Sequence, residues 1–214
     1  MQTVVANLKG GTGKSTVVFN LALWLQEGRR RALTVDLDPQ RTLSDVLEVR
    51  QEEGYEPAVD AAEDLEAAGA RAGEYDEVLI DVGASDMASL MAAVEAADRV
   101  LIPVPPSQAD VWSTYRFVQR IQEQRGTRAR PEILAFINRA DTHQAVRESD
   151  ETFEALQQIE GVRLLKPRLK QRMAFRRSFS EGLSVRELEP RGKASAELDA
   201  LAAALFGRSR RKKK

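Results

Sequence analysis

Six short apolar runs recur along the chain and alternate with segments whose apolar residues have helical spacing. The runs are residues 3–7, 32–37, 77–82, 99–104, 132–138 and 162–165. They are rich in Val, Ile and Leu, which is typical of strands buried on both faces of a parallel sheet. The helical segments are residues 15–26, 85–97, 111–124, 147–159 and, near the end, 194–206. This order predicts an α/β fold with one domain, residues 1–207, in which helices flank a doubly wound, mostly parallel sheet.

Composition excludes several classes of site. The chain contains no cysteine, which excludes a disulfide framework, a cysteine nucleophile and a thiolate metal site. No apolar stretch approaches the length of about 20 residues that a membrane-spanning helix needs. The first residues, MQTVVANLKGG, lack the basic start and long apolar core of a signal peptide. We therefore expect a cytoplasmic protein.

Two segments fall outside the alternation of runs. Residues 51–73 are rich in Ala and Glu, and we predict a strand-poor, partly helical stretch at the periphery. The last residues, 208–214, read RSRRKKK. We predict that this basic tail is disordered without a partner.

A glycine-rich loop, NLKGGTGKST at residues 7–16, lies between the first apolar run and the first helical pattern. A phosphate loop requires this context. Gly10, Gly11 and Gly13 let backbone N–H groups point at phosphate oxygens, and the helix beginning near Lys14 adds its positive end. A glycine-rich turn with a chance lysine is the alternative. The context favours a nucleotide site in which Lys14 reaches the β- and γ-phosphates.

The rest of the loop supplies further candidate ligands. Ser15 is expected to bind Mg²⁺ through its hydroxyl, and Thr16 is placed to meet the α-phosphate. Thr12 lies among the glycines that would surround the phosphates. The predicted cofactors are therefore ATP and Mg²⁺.

One position departs from the usual pattern G-x-x-x-x-G-K-[ST], because Leu8 stands where the first glycine belongs and Lys9 follows it. K-G-G-x-G-K-[ST] resembles the deviant Walker A motif of the ParA/MinD family, in particular its short, single-domain ParA branch. The resemblance implies a P-loop NTPase fold and ATP hydrolysis. In that family the first lysine reaches the partner's phosphates across an ATP-dependent homodimer. It therefore implies catalytic roles for Lys9 and Lys14.

Two carboxylates end the second apolar run, in the sequence VDLDPQRTLSD. Because side chains alternate along a strand, we expect Asp36 and Asp38 on the same side, both facing the phosphate loop. Metal-assisted hydrolysis needs a group that orients the attacking water and a carboxylate that holds the Mg²⁺ hydration shell. The motif resembles the family's D-x-D-P-Q element. The resemblance implies that Asp38 is catalytic and sets up the water, while Asp36 supports the metal.

Later apolar runs carry weaker signals. The run EVLIDVG ends in Asp81, which we predict to bind Mg²⁺ through water. FINRAD resembles the family segment whose asparagine reads the adenine edge, so Asn138 is the base-recognition candidate and Arg139 flanks it. The segment LLKPRLKQR resembles the family's closing region, whose proline lies against adenine, which here implies Pro167. Without the phosphate loop, ordinary packing at strand ends would explain all of these.

Charge is distributed unevenly along the chain. Residues 1–162 carry 16 Lys/Arg and 28 Asp/Glu, a net charge of −12, whereas residues 163–214 carry 16 and 5, a net charge of +11. A solvated mixed surface with a disordered tail would explain this, but so would an anionic partner at the basic end, such as double-stranded DNA. The candidate DNA contacts are Arg168, Lys170, Arg172, Arg176, Arg177, Arg208, Arg210, Arg211, Lys212, Lys213 and Lys214.

The resemblance implies a slow ATPase switch rather than a metabolic catalyst. Its ATP dimer would bind nucleoid DNA without sequence preference, and a separately encoded adaptor would stimulate hydrolysis. The cargo that it positions could be a plasmid, a chromosome region or a protein organelle such as a carboxysome. The main alternative is a MinD-like ATPase that cycles on a membrane through its last helix and tail. Because that helix is mostly alanine, we favour a helix that packs on the core and consider a membrane partner unfavourable.

Overall fold

Seven parallel strands form one sheet in the computed structural model, which describes residues 1–143 and 147–207. The strands are β1 Gln2–Val5, β2 Ala32–Asp36, β3 Asp60–Ala62, β4 Glu77–Asp81, β5 Arg99–Val104, β6 Glu132–Ile137 and β7 Val162–Leu164. Their order across the sheet is β3-β2-β4-β1-β5-β6-β7. Every pairing is parallel, so the predicted doubly wound sheet is confirmed.

Helices cover both faces of this sheet. They are α1 Lys14–Glu27, α2 Thr42–Glu52, α3 Leu65–Arg71, α4 Met87–Ala96, α5 Gln108–Arg125, α6 Glu148–Gln157, α7 Met173–Ser180, α8 Val185–Leu188 and α9 Lys193–Phe206. A short 3₁₀ helix, Ala72–Glu74, follows α3.

Alternate residues of each strand enter two separate apolar cores. Val4 packs with residues of α3 to α6 on one face, while its neighbour Val5 packs with α1, α2 and α7 to α9 on the other. The same division holds for Ile80 and Leu79 in β4. Burial on both faces explains why these strands read as continuous apolar runs. Because all pairings are parallel, the carboxyl ends of the seven strands lie along one edge of the sheet. Ligands bind at this edge in open parallel sheets.

The six predicted strands are present, and their observed ends differ by at most two residues. The structure adds β3, which sequence patterning missed because Asp60–Ala62 contains no bulky apolar residue and lies at the sheet edge. Within residues 51–73, the predicted strand-poor stretch, it also places the end of α2 and all of α3. The short helices α7 and α8 were not predicted either.

The last helix packs on the core through its bulky residues. Leu198, Leu201 and Leu205 are buried among α1 and the sheet, and Phe206 stacks on Trp24 with ring centroids 6.1 Å apart. The predicted core-packing helix is therefore confirmed. In the described ranges, no helix is long and apolar enough to cross a membrane. The predicted disordered tail, 208–214, lies outside the described residues.

A buried ion pair joins the amino-terminal ends of the three central strands. The Arg99 guanidinium donates to the Glu77 carboxylate at 2.7 Å, to the Thr3 hydroxyl at 2.6 Å and to the Leu205 carbonyl at 2.9 Å. The side chains of Arg99 and Glu77 are only 7% and 1% exposed. This contact therefore fastens the end of α9 to β1, β4 and β5.

Replacing Arg99 with alanine leaves Glu77 buried without its partner. Breaking one side of a buried pair typically costs about 3–5 kcal/mol, so Arg99→Ala should lower the free energy of unfolding by that amount in urea denaturation. The control is Arg163→Ala, since Arg163 pairs with Glu132 on the surface and such pairs contribute about 1 kcal/mol or less. Equal, small losses in the two variants would contradict this assignment.

Candidate nucleotide-binding site

Helix α1 begins directly above the carboxyl end of β1 without a side-chain cap. Its N-cap residue is Gly13, with φ 86°, and no side chain in the described ranges accepts a hydrogen bond from its first turn. In contrast, Asp64, Asp86 and Ser107 cap α3, α4 and α5. The first N–H groups of α1 are therefore free to bind an anion.

Gly13 is required by its surroundings as well as by its backbone angle. A Cβ atom at this position would lie 2.7 Å from Nδ2 of Asn138, which is closer than a Cβ atom approaches a non-bonded nitrogen in proteins. That same Nδ2 donates a 2.7 Å hydrogen bond to the carbonyl of Thr12. The end of β6 thereby holds the phosphate loop through a contact that only glycine at position 13 permits.

Two adjoining cavities open at this edge of the sheet. The larger has a volume of about 490 Å³ and includes Lys14, Ser15 and Thr16 among its lining residues, together with Gly10, Gly11, Asp38, Gln40, Thr42, Ala84 and Ser85. The smaller, about 190 Å³, lies between α1, the end of β6 and α7. Gly13, Thr16 and Arg139 line both. The larger cavity has the size and lining for phosphates, and the smaller one adjoins it where a nucleobase could lie.

Asp81 lies beneath the phosphate cavity as a buried carboxylate. It is 0% exposed, and neither carboxylate oxygen has a hydrogen-bond partner in the described part of the chain. Burial raises the pKa of Asp81 from its usual 3.8 to about 7, and the charges of Asp36 and Asp38 act in the same direction. The nearby Ser15 hydroxyl and Lys14 ammonium favour the charged form and oppose this shift only in part.

An unpaired buried carboxylate beside a serine hydroxyl fits a hydrated magnesium ion. Within residues 1–143 and 147–207, no group of three or more acidic or His side chains could hold a metal by itself. Mg²⁺ usually keeps several waters and binds through one or two carboxylates plus substrate phosphates. Ser15 and Asp81 match that requirement if the remaining ligands are water and phosphate. When bound, Mg²⁺ would neutralise charge on the phosphates.

Asp38 lies at the wall of the phosphate cavity, as predicted. Its position depends on Gly83, to which the sequence analysis assigns no role. A Cβ atom at residue 83 would lie 2.7–2.8 Å from the Asp38 carboxylate. A glycine two residues after Asp81 is the sequence signal that could have identified this contact.

The start of α2 binds the Asp36 carboxylate, whereas Asp38 lines the phosphate cavity. The Asp36 carboxylate accepts hydrogen bonds from the backbone N–H and hydroxyl of Ser44, at 2.8 and 3.0 Å, and from the backbone N–H of Asp38. It does not line the phosphate cavity. Asp36 instead holds the first turn of α2, which begins at Thr42 with Arg41 in a left-handed conformation. Its charge still acts on Asp81, and a role in the metal's hydration shell stays a prediction.

Asn138 and Arg139 lie at the junction of the two cavities. Arg139, with φ 56°, lines both cavities, and Asn138 lines the smaller. Because the Asn138 Nδ2 is already bonded to Thr12, this side chain supports the loop whether or not it reads a base. Thr12 itself is 1% exposed, and its side chain does not line either cavity.

Pro167 does not line either cavity, and its contact with adenine stays a prediction. Leu169 and the three residues after it form the wall instead. The physical reason is a strand-like pairing beyond β7, in which Leu169 N–H donates to Ile137 O and Gln171 N–H donates to Ala140 O. This pairing, together with Phe175 of α7, was not found from the sequence.

Lys9 points away from the cavities formed by its own loop. Its ammonium lies 3.2 Å from the Asp110 carboxylate at the start of α5, and it does not line the phosphate cavity. Leu8, which replaces the usual first glycine, packs partly buried against the apolar core. The two lysines of the loop therefore differ in direction, since Lys14 lines the cavity and is buried.

Most of the candidate DNA-binding residues before α9 either pair with a carboxylate or line the smaller cavity. Arg172 binds Glu197 through two nitrogens, and these hydrogen bonds raise the pKa of its guanidinium. Lys170 and Arg176 line the smaller cavity. Arg168 pairs with Asp150 at 2.5 Å, and Arg177 with Glu181 at 3.0 Å. Arg208, Arg210, Arg211, Lys212, Lys213 and Lys214 lie outside the described residues.

Comparison with known proteins agrees with this geometry. The family described as CobQ/CobB/MinD/ParA nucleotide binding domain matches residues 3–185. The "maintenance of carboxysome distribution protein A" of Halothiobacillus neapolitanus is 31% identical over 202 residues, which cover 90% of each chain.

Two solved structures share the fold. Apo McdA from Cyanothece superposes with a TM-score of 0.78 at 19% identity, covering 95% of this chain and 98% of its own. The MinC:MinD complex from Aquifex aeolicus gives a TM-score of 0.74 at 20% identity, covering 100% and 98%. At these identities the likeness establishes the fold alone.

The raised pKa of Asp81 predicts a pH-dependent stability. A carboxyl that binds its proton more tightly when folded stabilises the fold at low pH, and this contribution is lost as pH rises from about 4 to about 7. Without nucleotide or metal, Asp81→Asn should therefore gain stability over the parent by up to about 3 kcal/mol between pH 5 and pH 8. Urea denaturation at several pH values measures this difference. A difference that stays constant with pH would contradict the assignment.

Proposed function

The chain belongs to the CobQ/CobB/MinD/ParA nucleotide-binding family, and from this premise we propose that it is a ParA-type ATPase switch. ATP joins two copies into a dimer, the dimer binds nucleoid DNA without sequence preference, and the switch positions a cargo. A separately encoded adaptor stimulates its slow hydrolysis and so releases the DNA-bound state. The protein is cytoplasmic and associates with the nucleoid in its ATP state.

The single observation that carries this proposal is the different direction of the two lysines in one loop. Lys14 enters the phosphate cavity of its own chain, whereas Lys9 is 38% exposed and stays outside it. A lysine that does not contact the nucleotide of its own chain is available to the nucleotide of a second copy. This geometry supports a dimer in which ATP lies between the two copies.

Hydrolysis in this proposal depends on groups already in place around the phosphates. The free N–H groups of Gly13 and α1 bind phosphate oxygens, and Lys14 neutralises their charge. Asp38, held against Gly83, orients the attacking water. Ser15 and Asp81 would hold a hydrated metal ion. Among the described residues that line the cavity, Asp38 is the only carboxylate, so activation of water depends on one side chain and slow basal turnover is expected.

DNA binding is assigned to basic groups at the surface, of which Arg168 is partly buried against Phe153 and Arg177 is exposed. The surface pairs of Arg168 and Arg177 contribute about 1 kcal/mol or less, so a DNA phosphate can replace Asp150 or Glu181. The tail, 208–214, adds six positive charges. Arg172 is removed from the predicted set because Glu197 holds it, and Lys170 and Arg176 face the smaller cavity.

The cargo that we propose is a protein organelle, and this proposal is supported by relatives that span nearly the whole chain. A protein named for maintaining carboxysome distribution matches over 90% of its own length, which supports a protein organelle as the cargo. A plasmid or a chromosome region is the second candidate. The adaptor is then a protein that links the organelle to this ATPase.

A membrane-cycling switch of the MinD kind is the alternative function. It would need an amphipathic helix with bulky residues free to enter lipid. The bulky residues of α9 are instead buried, and Phe206 packs on Trp24. These contacts favour DNA over lipid as the anionic surface.

Two variants separate binding from hydrolysis. Lys14→Ala should lose ATP binding, because a buried charge at the phosphates is removed. Asp38→Ala should bind ATP, dimerise and hydrolyse at least tenfold more slowly, because the attacking water is no longer oriented. Equilibrium ATP binding, sedimentation and phosphate release measure the three properties. Wild-type turnover in Asp38→Ala would disprove the role of Asp38, and tight binding in Lys14→Ala would disprove the loop assignment.

The DNA assignment predicts a salt dependence. Binding of the ATP-bound Asp38→Ala variant to non-specific duplex DNA should weaken with salt, with a slope that changes by roughly one per phosphate contact. Deleting residues 208–214 should reduce that slope by up to about six, and replacing Arg168 and Arg177 with alanine by about two. Arg163→Ala, which removes one surface charge outside the proposed contacts, is the control. Binding to anionic liposomes instead of DNA would support the membrane alternative.

A further inference from the structure

An ion pair links the exposed lysine of the phosphate loop to helix α5. Lys9 Nζ lies 3.2 Å from Oδ1 of Asp110, and the two side chains are 38% and 11% exposed. We propose that Asp110 is a positioning residue that restrains Lys9 on its own chain until ATP brings a second copy. This inference rests on the proposed function, because it concerns the lysine that joins the two copies.

Asp110 is itself held firmly and cannot follow Lys9. Its Oδ2 accepts a 2.5 Å hydrogen bond from the Ser107 hydroxyl, and its backbone N–H donates to the same hydroxyl at 3.1 Å. Ser107 is the N-cap of α5. The carboxylate therefore occupies a fixed place in the first turn of the helix, with one oxygen directed to Ser107 and the other to Lys9.

The backbone of Lys9 is fixed as well. Its N–H donates to Oδ1 of Asn7 at 2.9 Å, and Nδ2 of Asn7 donates to the carbonyl of Pro103 at 3.0 Å. The start of the loop is thus tied to the end of β5. The side chain of Lys9 can still move, so its ammonium binds either Asp110 or a different anion.

The two states of Lys9 exclude one another. An ammonium bound to Asp110 cannot also contact the phosphates of a second copy, so each dimer must break two of these pairs. Asp110 remains stable after release, because it keeps Ser107 and lies at the positive end of α5. The pair therefore opposes dimerisation, and the more highly charged ATP competes for Lys9 better than ADP does.

The test compares dimerisation of four proteins that all carry Asp38→Ala, so that ATP is retained. They are the parent, Asp110→Asn, Lys9→Ala and the Lys9→Ala/Asp110→Asn double variant. An exposed or half-exposed ion pair holds its lysine only weakly. Because each dimer breaks two such pairs, removing both in Asp110→Asn should tighten the ATP dimer by about 2- to 30-fold. In the Lys9→Ala background the same change should have no effect.

A second readout needs neither nucleotide nor dimer. The rate at which an acylating reagent labels the Lys9 amine, followed by mass spectrometry, should rise at least twofold in Asp110→Asn, because its partner carboxylate is gone. Glu132→Gln is the matched control. It removes one surface charge at the start of β6, away from Lys9, and should leave the labelling rate unchanged. Asp110→Glu should retain slow labelling.

The outcomes distinguish this inference from the proposed function. An unchanged labelling rate in Asp110→Asn shows that the pair does not form in solution and overturns the restraint. Unchanged or weaker dimerisation in Asp110→Asn also overturns it, while the ATP dimer itself stands. If the parent does not dimerise with ATP, or if Lys9→Ala dimerises equally well, the proposed trans role of Lys9 fails and the restraint fails with it.

Discussion

The shape of the phosphate loop at Gly13 depends on a contact between two distant parts of the chain. The hydrogen bond from Asn138 to the Thr12 carbonyl fixes the loop to the end of β6, 126 residues away along the chain. It lies against Gly13, where any side chain would collide with it. The loop, the uncapped helix α1 and the wall shared by the two cavities are all arranged around this contact.

The site also holds charge that the folded protein alone does not stabilise. Asp81 is buried without a hydrogen-bond partner among the described residues. Burial raises its pKa and two nearby carboxylates add to the shift, while Lys14 opposes it. Such a group is costly until a cation neutralises it. A metal ion bound there would remove this electrostatic penalty, and its binding would then be coupled to the stability of the central strands.

Sequence patterning identified the elements whose residues are constrained locally. Buried strands such as β5 are readable because both faces are apolar, and the loop is readable because glycine and lysine spacing determines its chemistry. The exposed strand β3 has no such pattern. The surroundings of Asp36 and the wall of the smaller cavity were not predicted, because they depend on other parts of the chain: the Ser44 turn for the first, and the pairing of residues 169–171 with the end of β6 for the second. Asp110 gave no signal at all, because its partner Lys9 is distant in sequence.

The contact between Arg99 and the last helix has a mechanical consequence. Arg99 holds the Leu205 carbonyl at the amino-terminal end of the sheet, whereas the phosphate loop lies at the carboxyl-terminal end. A force applied through the chain after Phe206 therefore enters the domain at the end far from the nucleotide site. Two routes lead from there to the phosphate loop: the strands that Arg99 joins, and helix α1, on which Phe206 stacks.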